Sequence, residues 1–158
     1  MAGKKKGPDH NLLATNHKAL RDYEILESLE AGIVLAGTEI KSVRNHQASL
    51  DESFGRIEGG EVILYNMHIS PYEQGGRFNV EPARPRKLLL HRRQIERLNG
   101  LLSRKGLALV PLRLYLVRGM AKVELAVGKG KKLYEKRDVI RKRDTDRELR
   151  RILRRTNT

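Results

Sequence analysis

Leu107-Ala108-Leu109-Val110-Pro111-Leu112-Arg113-Leu114-Tyr115-Leu116-Val117, then Arg118-Gly119, then Met120-Ala121-Lys122-Val123-Glu124-Leu125-Ala126-Val127, is the stretch on which the fold turns. Ala108, Val110, Leu112, Leu114 and Leu116 recur at every second position, as do Ala121, Val123, Leu125 and Val127. Period two sends alternate side chains to opposite faces of a strand, so each run has one apolar, core-directed face. Two such runs joined by a tight glycine-containing turn predict an antiparallel hairpin.

Outward from this hairpin the pattern is less regular. Tyr23, Ile25, Leu29, Ala31, Ile33 and Leu35 share one face of a long run, with Glu24, Ser28 and Glu30 on the other: a half-buried strand or a bent pair. Gly32 marks the expected bulge or bend, where a missing Cβ lets the strand curl. Ser53 to Ile57 and Glu61 to Ile69 flank Glu58-Gly59-Gly60 as a second hairpin. Helical segments are short. Thr15 or Asn16 can cap one running to Arg21, because either side chain accepts an orphan backbone N–H. Thr38 can cap another with Ile40 and Val43 inward and Lys41 and Arg44 outward. His91 to Arg104 carries Ile95, Leu98, Leu101 and Leu102 on one stripe and stops at Gly106. Between Ser70 and Pro85 there is no period, which predicts a long mobile loop that orders on binding.

About six short strands in meander order, without a repeated strand-helix-strand unit, predict a mainly β chain. The expected architecture is a small closed antiparallel barrel, oligonucleotide-binding-like (OB-like), with two or three short helices. The expected organisation is a disordered basic leader over residues 1–14, the barrel over 15–128 and a basic tail over 129–158, disordered when free.

That tail holds thirteen Lys and Arg against five Asp and Glu, a net +8 of the +14 carried by all 158 residues. Charge so unevenly placed points to a polyanionic partner, since each cation near a phosphate releases condensed counterions. Lys129, Lys131 and Lys132 follow what reads as a glycine hinge at Gly128 and Gly130, although composition alone leaves a solvated charged linker open. Farther on, Asp138 with Lys142, Asp146 with Arg150, and the stripe Leu149, Ile152, Leu153 suit a helix that forms only when bound. No apolar run approaches a membrane span and no apolar segment follows the basic start, so the expected compartment is the cytoplasm.

Enzyme chemistry finds no support in the residue pattern. There is no cysteine, which removes disulfides, thiolate metal sites and thiol nucleophiles. The carboxylates are scattered, and the histidines at 10, 17, 46, 68 and 91 never fall at a ligand spacing, so neither a catalytic residue nor a metal or other cofactor is expected. Gly128-Lys129-Gly130-Lys131-Lys132 lacks the glycine and hydroxyl positions of a phosphate loop. Aromatic residues are too few for a general single-strand binder, whereas Lys, Arg and polar groups suit structured RNA met through its backbone and 2′-hydroxyls.

Five segments, in order, together resemble the SmpB (small protein B) family: Asn16-His17-Lys18-Ala19, Glu30-Ala31-Gly32, Gly37-Thr38-Glu39-Ile40-Lys41-Ser42-Val43-Arg44, Pro85-Arg86-Lys87-Leu88-Leu89-Leu90 and Gly130-Lys131-Lys132-Leu133-Tyr134-Glu135-Lys136-Arg137. The resemblance implies a non-enzymatic adaptor in bacterial trans-translation, whose barrel grips the tRNA-like domain of transfer-messenger RNA (tmRNA). Its tail would stand in for codon–anticodon pairing in the decoding centre and empty mRNA channel of a stalled ribosome. The implied tmRNA contacts are Asn16, Lys18, Glu30, Lys41, Arg44, Arg86, Lys87, Leu89, Lys129, Lys131 and Lys132. Those implied toward the ribosome are Tyr134, Lys136, Arg137, Arg141, Lys142, Arg143, Arg147, Arg150 and Arg151. Elongation factor Tu with alanyl-tmRNA is a further implied partner. Glu135 stands where the family usually has aspartate, and no tryptophan lies near Thr145. The rival reading is a structural ribosomal protein whose basic tail threads rRNA.

Overall fold

Period-two runs become strands and short apolar stripes become helices along the chain. In order these are β1 (Asn11–Thr15), α1 (His17–Asp22), β2 (Tyr23–Ile33), α2 (Gly37–Arg44), β3 (Ala48–Ser49), β4 (Phe54–Glu58), β5 (Glu61–Tyr65) and β6 (His68–Ile69). A 3-10 segment (Glu73–Phe78), β7 (Arg86–Leu89), α3 (Arg92–Leu102), β8 (Leu107–Val117) and β9 (Met120–Gly130) follow. The structure, a computed structural model, describes residues 11–131 and 146–154, the latter helical. The expectations placed on residues 1–10 and on the Asp138–Lys142 pair lie outside the described residues.

All strand pairings are antiparallel, and the sheet closes on itself. β8 pairs with β4 at one edge and β9 at the other, and β5, β7 and β2 complete a six-stranded ring. The tight turn between β8 and β9 places Arg118 at φ 50° and Gly119 at φ 77°, the two left-handed residues whose twist matches that of the strands they join. β1 adds to β8, from Asn11 opposite Leu116 to Thr15 opposite Arg113, so four residues assigned to the leader, Asn11 to Ala14, are strand. At the other end of β8, Leu107 faces Lys129.

Two bulges divide the apolar residues between two cores. One extra residue lies between Ile25 and Glu27 in β2, and another between Pro111 and Arg113 in β8. Each insertion reverses the inside and outside of everything beyond it. Leu29, Ala31, Ile33, Leu109, Leu114, Val123, Leu125 and Val127 therefore pack in the barrel with Val62, Leu64, Met67, Leu88 and Leu98. Tyr23, Ile25, Val110, Leu112 and Ala126 face outward under Ala19 and Leu20 of α1. The bulge lies at Leu26 rather than at Gly32, where β2 pairs with β7 and β9 at once, and Ala108 to Leu116 do not share one face.

Two further expectations change. Residues 70–85 are held by local hydrogen bonds, with Ile69 N–H donating to Pro82 O at 3.0 Å and the Asn79 side chain bridging Tyr72 N–H and Tyr72 O at 2.8 Å each. Gly128 is a buried strand residue opposite Ile25 and Ala108, not a hinge. A Cβ there would lie 2.9 Å from Tyr23 Cβ, so glycine is what lets the Tyr23 ring close over β9. The strand runs to Gly130, and Lys131 N–H still donates to Asp22 O at 2.9 Å.

Candidate nucleic-acid interface

The outward positions of β7, β2, β9, β8 and β1 form a continuous surface set by register. Gly32 lies opposite both Leu89 and Lys122, Lys122 opposite Tyr115, and Tyr115 opposite Leu12. The neighbouring row places Glu30 opposite Glu124, Glu124 opposite Arg113, and Arg113 opposite Thr15. Because Ala31, Leu88, Leu114 and Val123 are buried in the barrel, Glu30, Leu89, Arg113, Tyr115, Lys122 and Glu124 face the other way. Leu89 is half exposed over Gly32, where a Cβ would lie only 3.2 Å from Leu89 Cβ. Leu12, Val34 and Met120 are exposed apolar residues of the same strands and their margins.

Two carboxylates directly opposite on one face repel unless each has its own partner. Here each has one. Tyr115 Oη donates to Glu30 Oε2 at 2.6 Å, and Arg113 Nη1 donates to Glu124 Oε2 at 3.0 Å. Burial first, then the carboxylates of Glu30 and Glu124, push the Tyr115 hydroxyl well above the ordinary phenol range, so it remains a donor at neutral pH. The result is a pair of fixed carboxylates beside Lys122. An acceptor-only carboxylate can take hydrogen bonds from 2′-hydroxyls or base amino groups while neighbouring cations meet phosphate.

The expected contact residues are distributed over this face and beyond it. Glu30, Lys87 and Leu89 lie on it, with Lys87 Nζ 2.8 Å from Glu61 Oε1. Lys41 and Arg44 are exposed on α2, and Lys41 Nζ sits 5.3 Å from the centroid of the Tyr72 ring. Lys18, on α1, pairs with Glu52, and Lys129 is exposed at the end of β9 next to Lys131. Arg147, Arg150 and Arg151 are exposed on the 146–154 helix. Lys132, Tyr134, Lys136, Arg137, Arg141, Lys142 and Arg143 lie outside the described residues.

Two of the expected contact residues are buried and bonded within the fold. Arg86 is 0 % exposed: its guanidinium donates to Glu39 Oε2 at 2.7 Å through Nε, and to the carbonyls of Met67 and Pro82. Period two explains the reversal, since Lys87 and Leu89 facing out forces Arg86 and Leu88 inward. Asn16 is 2 % exposed and its amide is fully engaged: Oδ1 accepts Ala19 N–H at 3.0 Å, while Nδ2 donates to Pro111 O at 2.9 Å and Leu50 O at 3.1 Å. It caps α1 and ties that helix to β8. Thr38, expected to cap α2, does not. Ala36 holds the N-cap position, and Glu39 Oε1 accepts Ala36 N–H at 2.9 Å.

Arg113, Tyr115, Lys122 and Glu124 were not among the expected contacts. Their signal was present as the polar side of the last hairpin, but the bulge at Leu112 conceals which residues align with Glu30. Among the described residues no group of three or more His, Cys, Asp or Glu is placed to hold a metal ion, and no helix is long and apolar enough to cross a membrane.

Comparison with known proteins gives a consistent answer. The SsrA-binding protein of Caldicellulosiruptor saccharolyticus is 59 % identical over 150 residues, covering 95 % of each chain. That of Carboxydothermus hydrogenoformans is 59 % identical over 143 residues, covering 90 % of this chain and 96 % of the relative. A solved chain described as "tmRNA-SmpB: a journey to the center of the bacterial ribosome" superposes with a TM-score of 0.65 at 52 % identity, covering 75 % of this chain and 84 % of that one. The model of the SmpB protein family matches residues 13–155, and the chain belongs to that family.

Proposed function

We propose that this chain is the RNA-binding adaptor of trans-translation: it binds the tRNA-like domain of tmRNA, brings it to stalled ribosomes, and permits rescue and tagging of the nascent chain. The observation that carries this reading is the outer sheet face. Glu30 and Glu124 are held there by Tyr115 and Arg113 beside Lys122 and Leu89, in a chain that matches SsrA-binding proteins over 95 % of its length. Fixed acceptors and cations on a β surface suit structured RNA, whose shallow minor groove displays 2′-hydroxyls and base edges between its phosphate backbones.

The basic segment after β9 is the second element of the proposal. The net +8 of residues 129–158 suits the decoding centre and the mRNA path of a ribosome that has lost its message, with Lys136, Arg137, Arg141, Lys142, Arg143, Arg147, Arg150 and Arg151 against rRNA and Tyr134 stacked on a base. Elongation factor Tu carrying alanyl-tmRNA is the partner this role requires, and the adaptor itself performs no bond-making step. Removing residues 132–158 should leave affinity for the tRNA-like domain within about threefold while abolishing transfer of the nascent chain to alanyl-tmRNA. Equal loss of both would overturn the two-part reading. Recovery of intact ribosomes but no tmRNA with the chain at moderate salt would favour a structural ribosomal protein instead.

A further inference from the structure

Phe78 is one of only two phenylalanines in the chain, and at 70 % exposure it is the most exposed large apolar side chain among the described residues. A single exposed ring on a slack loop would need no explanation. This ring stands on a braced one. Asn79, the next residue, accepts Tyr72 N–H at 2.8 Å through Oδ1 and donates to Tyr72 O at 2.8 Å and Gly76 O at 3.2 Å through Nδ2. Thr38 Oγ1 of α2 donates to Phe78 O at 3.4 Å, and Gly75 N–H donates to Tyr72 O at 2.8 Å. Gly75 is packed so closely that a Cβ would meet Asn79 Oδ1 and Thr38 Cγ2 at 2.9 Å. At the base of the segment, Arg84 and Arg86 both grip Glu39. The backbone is fixed, and the aromatic side chain is left in solvent.

The surroundings say what would cover it. The Arg77 guanidinium lies 5.2 Å from the Phe78 ring centroid, and across the same segment Lys41 lies 5.3 Å from the Tyr72 ring, with Arg44 one turn farther along α2. Glu73 and Glu81 are the carboxylates of this segment. A mostly exposed ring with a guanidinium over one face, and with Lys41 and Arg44 on the neighbouring helix, is complementary to an unpaired base, whose flat ring stacks on the other face while its phosphates meet Arg and Lys. An apolar protein anchor would not call for the cations.

We propose that Phe78 is a stacking platform for one unpaired RNA base, with Arg77 and Lys41 taking its flanking phosphates. The site rests on the RNA-binding reading above and extends it to the 70–85 segment, away from the Glu30 face. The base comes either from tmRNA or from ribosomal RNA, and the chemistry is the same.

The chain has no tryptophan, so Phe78→Trp installs a single reporter. Its emission is titrated with the tRNA-like domain of tmRNA and, separately, with small ribosomal subunits. Quenching with loss of acrylamide access in one arm is expected, and the arm identifies the source of the base. Phe78→Ala should weaken affinity for that same RNA by about 5- to 150-fold, the range for one stacked base. Phe78→Tyr should restore it to within about threefold. No quenching in either arm, or Phe78→Ala within twofold of the parent in both, overturns the platform. A response to elongation factor Tu without RNA, and to neither RNA, also overturns it. Affinity of the unaltered chain for each RNA is measured alongside. If the unaltered chain binds neither RNA, the proposed function fails with the platform; if it binds and Phe78 is silent, only the platform fails.

Discussion

Tyr115 reaches diagonally across β9 to hold Glu30, with its hydroxyl 2.6 Å from Glu30 Oε2. This bond links β8 to β2 on the outer face and leaves Glu30 one orientation in which to meet a ligand. Glu30→Ala should therefore weaken binding of the tRNA-like domain by about tenfold, although it removes a negative charge near RNA; a hydrogen bond to a charged group contributes about 1.5–3 kcal/mol. Tyr115→Phe should cost about three- to tenfold in the parent and less than twofold in the Glu30→Ala background. Filter binding of the four variants closes the cycle. Additive losses would show that Tyr115 acts independently of Glu30, and tighter binding by Glu30→Ala would show that the carboxylate merely repels.

Asn16 is a structural residue by its bonds, and its replacement separates stability from recognition. Asn16→Ala removes the cap of α1 and a donor to the Pro111 carbonyl, whereas Leu50 O keeps its bonds from Ser53, for a loss of about 1–3 kcal/mol in urea unfolding. At a temperature where the variant is folded, its RNA affinity should stay within about threefold of the parent. A tenfold deficit in the folded variant would place Asn16 in the interface after all.

Glu39 joins α2, the 70–85 segment and β7 through Arg84 and Arg86. Burial by itself would raise the Glu39 carboxyl, but hydrogen bonds from Arg84, the Ala36 N–H and Arg86 outweigh it and hold the group below its ordinary value of 4.5. A depressed folded-state value stabilises the fold fully above about pH 4.5, where the unfolded chain is also ionised, and the contribution is lost as pH falls through the folded value. Glu39→Gln should cost about 3–5 kcal/mol at pH 7 by leaving Arg86 buried without its counter-charge. The gap in unfolding midpoint between parent and variant should be constant from pH 7 to 5 and narrow below 4.5. A gap independent of pH down to 3 would show that the carboxylate charge is not what holds the segment.

Two glycines at the end of β9 should respond oppositely. Gly128→Ala forces a Cβ to within 2.9 Å of Tyr23 Cβ, a backbone-proximal atom that cannot swing aside, and should cost about 1–3 kcal/mol. Gly130→Ala meets nothing within 4 Å and should change stability by less than about 0.5 kcal/mol. Thermal unfolding of both variants tests this, and equal effects would contradict the close packing of Tyr23 on β9.

The barrel was legible because strand alternation and tight turns are local properties: both hairpin turns and α3 lie within a residue or two of where period and turn chemistry put them, although the run Glu61 to Ile69 is broken into β5 and β6 and β9 continues to Gly130. Bulges were not legible. Leu26 and Leu112 are apolar residues that continue an apolar pattern, and only pairing with β9 shows that each is an extra residue. That also hid Tyr115 and Glu124 from the expected site. The burial of Arg86 was not legible either, because the carboxylate that permits it is 47 positions away at Glu39. Of the two cap candidates, Thr15 and Asn16, it is Asn16 that caps α1, and the carbonyls that saturate its amide come from Leu50 and Pro111, far away in sequence. The 70–85 segment looked slack because its order comes from one asparagine bridging seven residues rather than from any periodicity.

The length of β8 has a consequence for how the two ends of the domain are presented. The strand pairs with Asn11 at Leu116 and with Lys129 at Leu107, nine residues apart, which at about 3.3 Å each is roughly 30 Å. β1 thus begins beside one end of β8, and β9 ends beside the other. Dyes at positions 11 and 131 should report a spacing of that order, which makes β8 a spacer between two attachment points.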